Sequence, residues 1–124
     1  MFISFIVAAI FAFGVGLAHS ILGERYILIR LFRRPNLPQL LGGPEFTIRT
    51  LRFAWHLTTV AWWGFAAILI LLARQSVSMQ SVSGVLAVTF ILTALVTAVA
   101  SRGRHLAWPV FLVISLVCAW AAAN

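Results

Sequence analysis

The chain has 124 residues, of which 63% are hydrophobic and 9% charged, and its mean hydropathy of +1.08 excludes an ordinary water-soluble globular domain. Its net charge of +7 comes from nine arginines and two glutamates, with no lysine. In a chain this apolar, such a basic balance indicates membrane topology and an anionic lipid surface, and it does not favour nucleic-acid binding.

The first predicted span covers residues 2–22 and carries no charge. It lacks the basic start and small-residue cleavage site of a secretory signal peptide, so we expect it to be retained as a helix. One of its faces combines His19 with small residues, which should allow a neighbouring helix to approach closely. These small residues are Ala8, Ala12, Gly16 and Gly23.

A long loop is predicted between the first and second spans. Residues 24–34 mix arginines with bulky apolar side chains, a composition that suits the headgroup region of a membrane. Prolines and glycines between Pro35 and Pro44 then break regular structure. We expect Gly23 to let the chain leave the first helix at the head of this loop.

Three further spans are predicted at about residues 47–72, 85–100 and 105–123. The polar loop QSVSMQSVSG and the tight turn SRGRH join them. The predicted fold class is therefore all-α, an integral membrane four-helix bundle with a long, partly interfacial loop between helices 1 and 2. The bundle is expected to form a single transmembrane domain over residues 1–124.

The distribution of arginines predicts the orientation. Arg74 lies at one end of the spans, and the other eight arginines lie at the opposite end. By the positive-inside rule, the end with eight arginines faces the cytoplasm and both termini lie outside. We expect a multi-pass protein of a bacterial-type inner (plasma) membrane.

Polar residues are expected to converge at this arginine-rich end. Arg49, Arg52 and His56 follow one stripe of the second span, and such a stripe should face other helices rather than lipid. Together with the ends of the first and fourth spans, this stripe predicts a polar mouth. Its candidate ligand-binding residues are His19, Glu24, Arg49, Arg52, His56, Arg102, Arg104 and His105.

The leading functional hypothesis is that this mouth binds an anionic lipid headgroup, a quinone-like molecule or a cofactor. Arginine guanidinium groups bind phosphate and carboxylate through paired hydrogen bonds, and a helix start adds free amides. In a purely structural alternative, the arginines contact bulk anionic lipid and Glu24 pairs with one of them, tying helix ends together.

Two other classes of function remain open. Three histidines, His19, His56 and His105, could hold a metal or haem in a small membrane enzyme, although no HExxH or CxxC motif supports this. The chain could instead be an accessory subunit that packs beside a larger membrane complex or forms a homo-oligomer. Whether it is an enzyme stays open; Ser20 beside His19 does not suggest a catalytic pair, because neighbours on a helix point about 100° apart.

Overall fold

The computed structural model describes all 124 residues, and its regular elements are helical. They are α1 (Phe2–Leu22), a π-helical segment (Gly23–Leu28), the single turn α2 (Ile29–Leu31), α3 (Glu45–Ala73), α4 (Met79–Ala100) and α5 (Ala107–Ala123). The continuous helix Phe2–Leu31, α3 and α4 are each long and apolar enough to cross a membrane. Helix α5 is apolar but shorter, at 17 residues.

The first helix does not end at Gly23, and this prediction was wrong. Gly23 keeps a right-handed helical conformation with a φ of −61° and a ψ of −48°. No proline occurs before Pro35, so nothing interrupts the backbone hydrogen bonds, and the helix widens into π geometry and continues to Leu31. Glu24 therefore lies on a helix rather than in a loop.

Helix α4 also begins earlier than predicted, at Met79 rather than Val85. Ser78 accepts a hydrogen bond from the backbone N–H of Ser81, and the Ser81 hydroxyl accepts one from the backbone N–H of Ser78. This reciprocal capping box starts the helix inside a serine-rich stretch whose polar composition had suggested a loop.

The four long helices pack in chain order as an open row. Helix α1 contacts α3, α3 contacts α4, and α4 contacts α5, whereas α1 makes no close backbone approach to α4 or α5. The short connections after α3 and α4 favour packing between the helices that they join, but no close backbone approach closes the row into a bundle. An all-helical chain is thus confirmed, and a closed four-helix bundle is not.

Close approach of α1 and α3 depends on the predicted small residues. A Cβ atom at Gly16 would lie 2.9 Å from Nε1 of Trp63, and one at Gly23 would overlap the indole ring of Trp55. The indole N–H of Trp55 donates to the backbone carbonyl of His19 at 3.0 Å. Glycine therefore lets two tryptophans of α3 lie directly against the backbone of the first helix.

Candidate functional site

The predicted mouth divides into separate places at the arginine-rich end of the helices. Three of its arginines line one pocket, three of its residues form a polar network between α1 and α3, and two histidines pack against aromatic rings. In that order, the groups are Arg49, Arg102 and Arg104; Glu24, Arg52 and His56; and His19 and His105.

The arginine pocket, as we call the first group and its surroundings, has a volume of about 260 Å³. Arg49 contributes from the second turn of α3, and Arg102 and Arg104 contribute from the turn between α4 and α5. Glu45 lies on its rim and forms an ion pair with Arg49, whereas Arg102 and Arg104 have no acidic partner. Three guanidinium groups and one carboxylate leave the pocket with an excess of two positive charges.

The start of α3 adds backbone donors to the arginine pocket. The first backbone hydrogen bond of this helix runs from the N–H of Ile48 to the carbonyl of Pro44, at 2.9 Å. The N–H groups of the preceding residues consequently have no partner within the helix. Two of these residues, Glu45 and Phe46, line the pocket, where free amides and the helix dipole favour an anion.

Two walls of the arginine pocket hold bulky residues in the left-handed backbone conformation. Arg102 has a φ of 52° beside Gly103 at 74°, and Leu41 has a φ of 55° in the tight turn Leu40–Gly43. For residues with a large side chain this conformation is unfavourable, and such positions cluster at functional sites. Leu40 and Leu41 are also exposed, so the turn presents an apolar tip beside the charged pocket.

The polar network links α1 and the π-helical segment to α3. Oε1 of Glu24 lies 3.1 Å from Nη2 of Arg52 in an ion pair, and Oε2 of Glu24 lies 3.3 Å from Nε2 of His56. The other ring nitrogen of His56, Nδ1, lies 2.8 Å from the Ser20 hydroxyl. Ser20 in turn lies 2.7 Å from the Thr59 hydroxyl, which donates to the carbonyl of Gly16 at 3.0 Å.

The remaining two histidines have aromatic neighbours. His19 stacks in parallel on Trp55 at 4.5 Å and meets the edge of Trp62 at 5.1 Å, while its enclosed Nε2 atom has no hydrogen-bond partner. It lines an apolar groove of about 330 Å³ between the first helix and α3. His105 packs against Phe53 and accepts the N–H of Ala107 through Nδ1 at 3.2 Å, which caps α5.

The three histidines do not meet at one point, and no three His, Cys, Asp or Glu side chains are grouped so that they could hold a metal ion. Stacking on tryptophan, pairing with Glu24 and capping of α5 direct the three rings to different neighbours. This geometry does not favour the metal or haem hypothesis, and we assign none of these residues as a metal ligand.

Sequence reasoning missed several residues that the structure places at these sites. The turn Leu40–Gly43 and Ser101 line the arginine pocket, and Ser20 completes the polar network. Ser20 carried a readable signal, because it precedes Glu24 by four residues and therefore shares its helix face. The position of the turn Leu40–Gly43 beside Arg102 could not be predicted. The two segments are far apart in sequence, and a tight turn has no repeating pattern that indicates which segment it contacts.

Comparisons of the chain with protein-family models, with curated proteins and with solved structures found no match.

Proposed function

We propose that the arginine pocket binds the phosphate group of an anionic lipid, and that the chain is a lipid-binding membrane protein. The observation that carries this proposal is the meeting of Arg49 with Arg102 and Arg104, which are more than 50 positions away in sequence, around a single pocket. Guanidinium groups hold phosphate oxygens through paired hydrogen bonds.

The electrostatics of the arginine pocket suit one anionic group. Glu45 orients Arg49 by accepting hydrogen bonds from both Nε and Nη2 of that side chain. Arg102 and Arg104 remain free of acidic partners, and the amides at the start of α3 add uncommitted donors. An entering phosphate would therefore find donors that no protein carboxylate already occupies.

Apolar side chains beside the pocket favour a lipid over a free anion. Leu40 and Leu41 are 53% and 62% exposed, and Leu106 follows the arginine turn with 88% exposure. Exposed leucines at the ends of membrane-length helices suit the boundary between headgroups and acyl chains. A phosphate attached to a diacylglycerol places its charged and apolar parts against matching surfaces.

The orientation is part of this proposal. Anionic lipids give the cytoplasmic leaflet its negative surface potential, and the positive-inside rule places the arginine-rich end there. The arginine pocket would then face the cytoplasmic leaflet of a bacterial-type inner membrane, and both termini would lie outside.

The test separates a built pocket from general attraction between arginine and lipid. Native mass spectrometry of the purified protein would count bound phosphatidylglycerol in the wild type, in R102Q/R104Q and in R33Q/R34Q. Both double variants lose two positive charges at the same end, but Arg33 and Arg34 do not line the pocket. A hydrogen bond between a guanidinium and a phosphate contributes about 1.5–3 kcal/mol, so we expect R102Q/R104Q to weaken binding at least about tenfold. R33Q/R34Q removes only the general attraction to the anionic surface and should weaken binding much less.

Two further arms identify the source of the phosphate. Phosphatidylcholine should bind weakly, because its choline group cancels the charge that the arginines select. Inorganic phosphate at millimolar concentration should displace little phosphatidylglycerol, because it lacks the apolar part. Equal losses of phosphatidylglycerol binding in the two double variants would contradict a specific lipid site in the arginine pocket. Full displacement of the lipid by inorganic phosphate would show that the pocket binds a soluble anion.

A second candidate, a subunit of a larger assembly, is favoured by the open row of helices. Because the backbone of α1 does not closely approach α4 or α5, the outer faces of the row lack the helix packing that closure would provide. A partner helix or a second copy of the chain could cover them. Mass measurement in nanodiscs tests this candidate, and a protein that is entirely monomeric and stable without partners would contradict it.

A further inference from the structure

The arginine pocket carries more positive charge than a phosphodiester headgroup neutralises. Glu45 pairs with Arg49, and the two charges of this pair cancel. Arg102 and Arg104 form no ion pair with a protein carboxylate, so two positive charges remain. A phosphodiester such as phosphatidylglycerol carries a single negative charge, whereas a phosphomonoester carries about −1.5 to −2 at pH 7. A terminal phosphate, joined to its lipid by one ester bond, therefore matches the charge of the pocket more closely.

The hydrogen-bond donors of the pocket also suit a terminal phosphate. Besides the two guanidinium groups, the backbone N–H groups of Glu45 and Phe46 have no partner within α3. A phosphodiester has two oxygens free of ester bonds, and a phosphomonoester has three. The third oxygen can accept from donors that a diester would leave without a partner.

Ser101 adds a buried donor to this set. It is 2% exposed and lines the pocket directly after the end of α4. Its hydroxyl oxygen accepts the N–H of His105 at 3.3 Å, but its own proton has no acceptor in the protein. A buried hydroxyl proton without an acceptor is unfavourable, and an anionic oxygen in the pocket would provide one. Ser101 therefore favours an oxygen ligand independently of the arginines.

We infer that the arginine pocket selects lipids whose headgroup is a terminal phosphate, as in phosphatidic acid, over phosphodiester lipids. This inference rests on the proposed lipid site and specifies the class of its ligand. Two negative charges match Arg102 and Arg104, and the third free oxygen can accept from Ser101 or from the start of α3. The exposed side chains of Leu40 and Leu41 suit the acyl chains of both classes, so the selection depends on the phosphate.

Two lipids that differ by one methyl group test the selection. Phosphatidylmethanol is the methyl ester of phosphatidic acid, so it keeps the acyl chains and loses one negative charge and one free oxygen. In competition on the purified full chain, measured by native mass spectrometry, we expect phosphatidic acid to bind about tenfold more tightly, which corresponds to about 1.4 kcal/mol. Phosphatidylmethanol should bind about as tightly as phosphatidylglycerol.

Equal affinities for phosphatidic acid and phosphatidylmethanol would overturn the inference. The proposed lipid site would survive that result if R102Q/R104Q still weakened the binding of both lipids more than R33Q/R34Q did. Equal losses in the two double variants would instead contradict the lipid site itself.

Variants that change the charge of the pocket test the cause of the selection. R104Q lowers the excess from two positive charges to one, and E45Q raises it to three. We expect the ratio of the affinities for phosphatidic acid and phosphatidylmethanol to fall at least about threefold in R104Q and to rise in E45Q. R33Q is the control, because Arg33 lies at the same end and does not line the pocket. An equal ratio in R104Q, the wild type and E45Q, or an equal fall in R33Q, would contradict selection by the pocket.

The variant S101A removes the buried hydroxyl without a change of charge. We expect it to lower the same ratio about threefold. S115A is the matched control, because Ser115 is also buried but donates to the carbonyl of Ala87 and does not line the pocket. A ratio that falls equally in both variants would show that Ser101 does not contact the phosphate.

Glycerol 3-phosphate distinguishes a lipid from a soluble phosphomonoester. It carries the same terminal phosphate without acyl chains, so at millimolar concentration we expect it to displace little phosphatidic acid. Full displacement would overturn the lipid as the source of the phosphate and would assign the pocket to a soluble phosphomonoester.

Discussion

The Ser20 hydroxyl and Nδ1 of His56 lie 2.8 Å apart, although 36 positions separate them in the chain. This contact joins the first helix to α3 and connects the Glu24 carboxylate to the hydroxyl groups deeper between the helices. Ser20, His56 and Glu24 follow the order of a hydrolase triad, but Ser20 lies against Thr59 and lines none of the larger pockets. The arrangement acts as a link between helices.

The energy of this link can be measured with a double-mutant cycle. Hydrogen bonds between membrane helices average about 0.6 kcal/mol and reach about 1.7 kcal/mol. Because the 2.8 Å contact between the two side chains lies between the helices, we expect S20A and H56A to show a coupling of about 1 kcal/mol in the free energy of unfolding in mixed micelles. The control pair S20A and H105A should be additive, since His105 contacts Phe46 and Phe53 instead. Additivity in the first pair would contradict the link.

Gly23 and Gly14 give a matched test of helix packing. A Cβ atom at Gly23 would overlap the ring of Trp55, whereas one at Gly14 would meet nothing within 4 Å. We expect G23A to displace Trp55 from the His19 carbonyl and to reduce the free energy of unfolding by about 1–3 kcal/mol, as overpacking does. G14A should be neutral or slightly stabilising. Equal effects, read from unfolding and tryptophan emission, would mean that the indole does not rest on Gly23.

The backbone conformation of Arg102 should reduce the stability of the fold, whereas its side chain should strengthen lipid binding. Its left-handed backbone costs a residue with a side chain about 1 kcal/mol relative to glycine. R102G is therefore expected to keep or slightly raise the free energy of unfolding while it weakens phosphatidylglycerol binding about fivefold. Gln75 provides the control, because its φ of 52° is the same and it lies outside the pocket, at the opposite end of α3. Q75G should change the free energy of unfolding by about as much as R102G does and should leave lipid binding unchanged. Loss of lipid affinity in Q75G would show that a glycine at such a position disturbs the structure as a whole.

The helical class and the small-residue face of the first helix could be predicted because both depend on local composition and period. Gly16 and Gly23 do allow the close contact with α3 that their spacing indicated. The ends of the helices were harder to predict, since the serine capping box before Met79 and the continuation of the first helix through Gly23 depend on individual hydrogen bonds. Composition alone had suggested a loop at both positions.

The sequence could locate polar residues at one end of the helices, but it could not predict how they are grouped. Hydropathy and charge place Arg49, His56 and Arg102 at one end of the helices, but they do not determine which helices touch. That depends on the row, in which α5 meets α4 and not α1. As a result, the single mouth that the sequence predicts divides into the arginine pocket, the polar network, and two histidines that pack against aromatic rings.

Photocrosslinking gives the most direct measurement of the proposed lipid site. A phosphatidylglycerol that carries a diazirine close to its phosphate would be reconstituted together with the protein and activated by light. Peptide mass spectrometry would then map the residues that carry adducts. We expect adducts at residues 40–46 and 101–106, which come from the two chain segments that form the arginine pocket. Adducts concentrated on residues 25–34, or spread evenly over every arginine-bearing segment, would show general surface attraction and contradict the account.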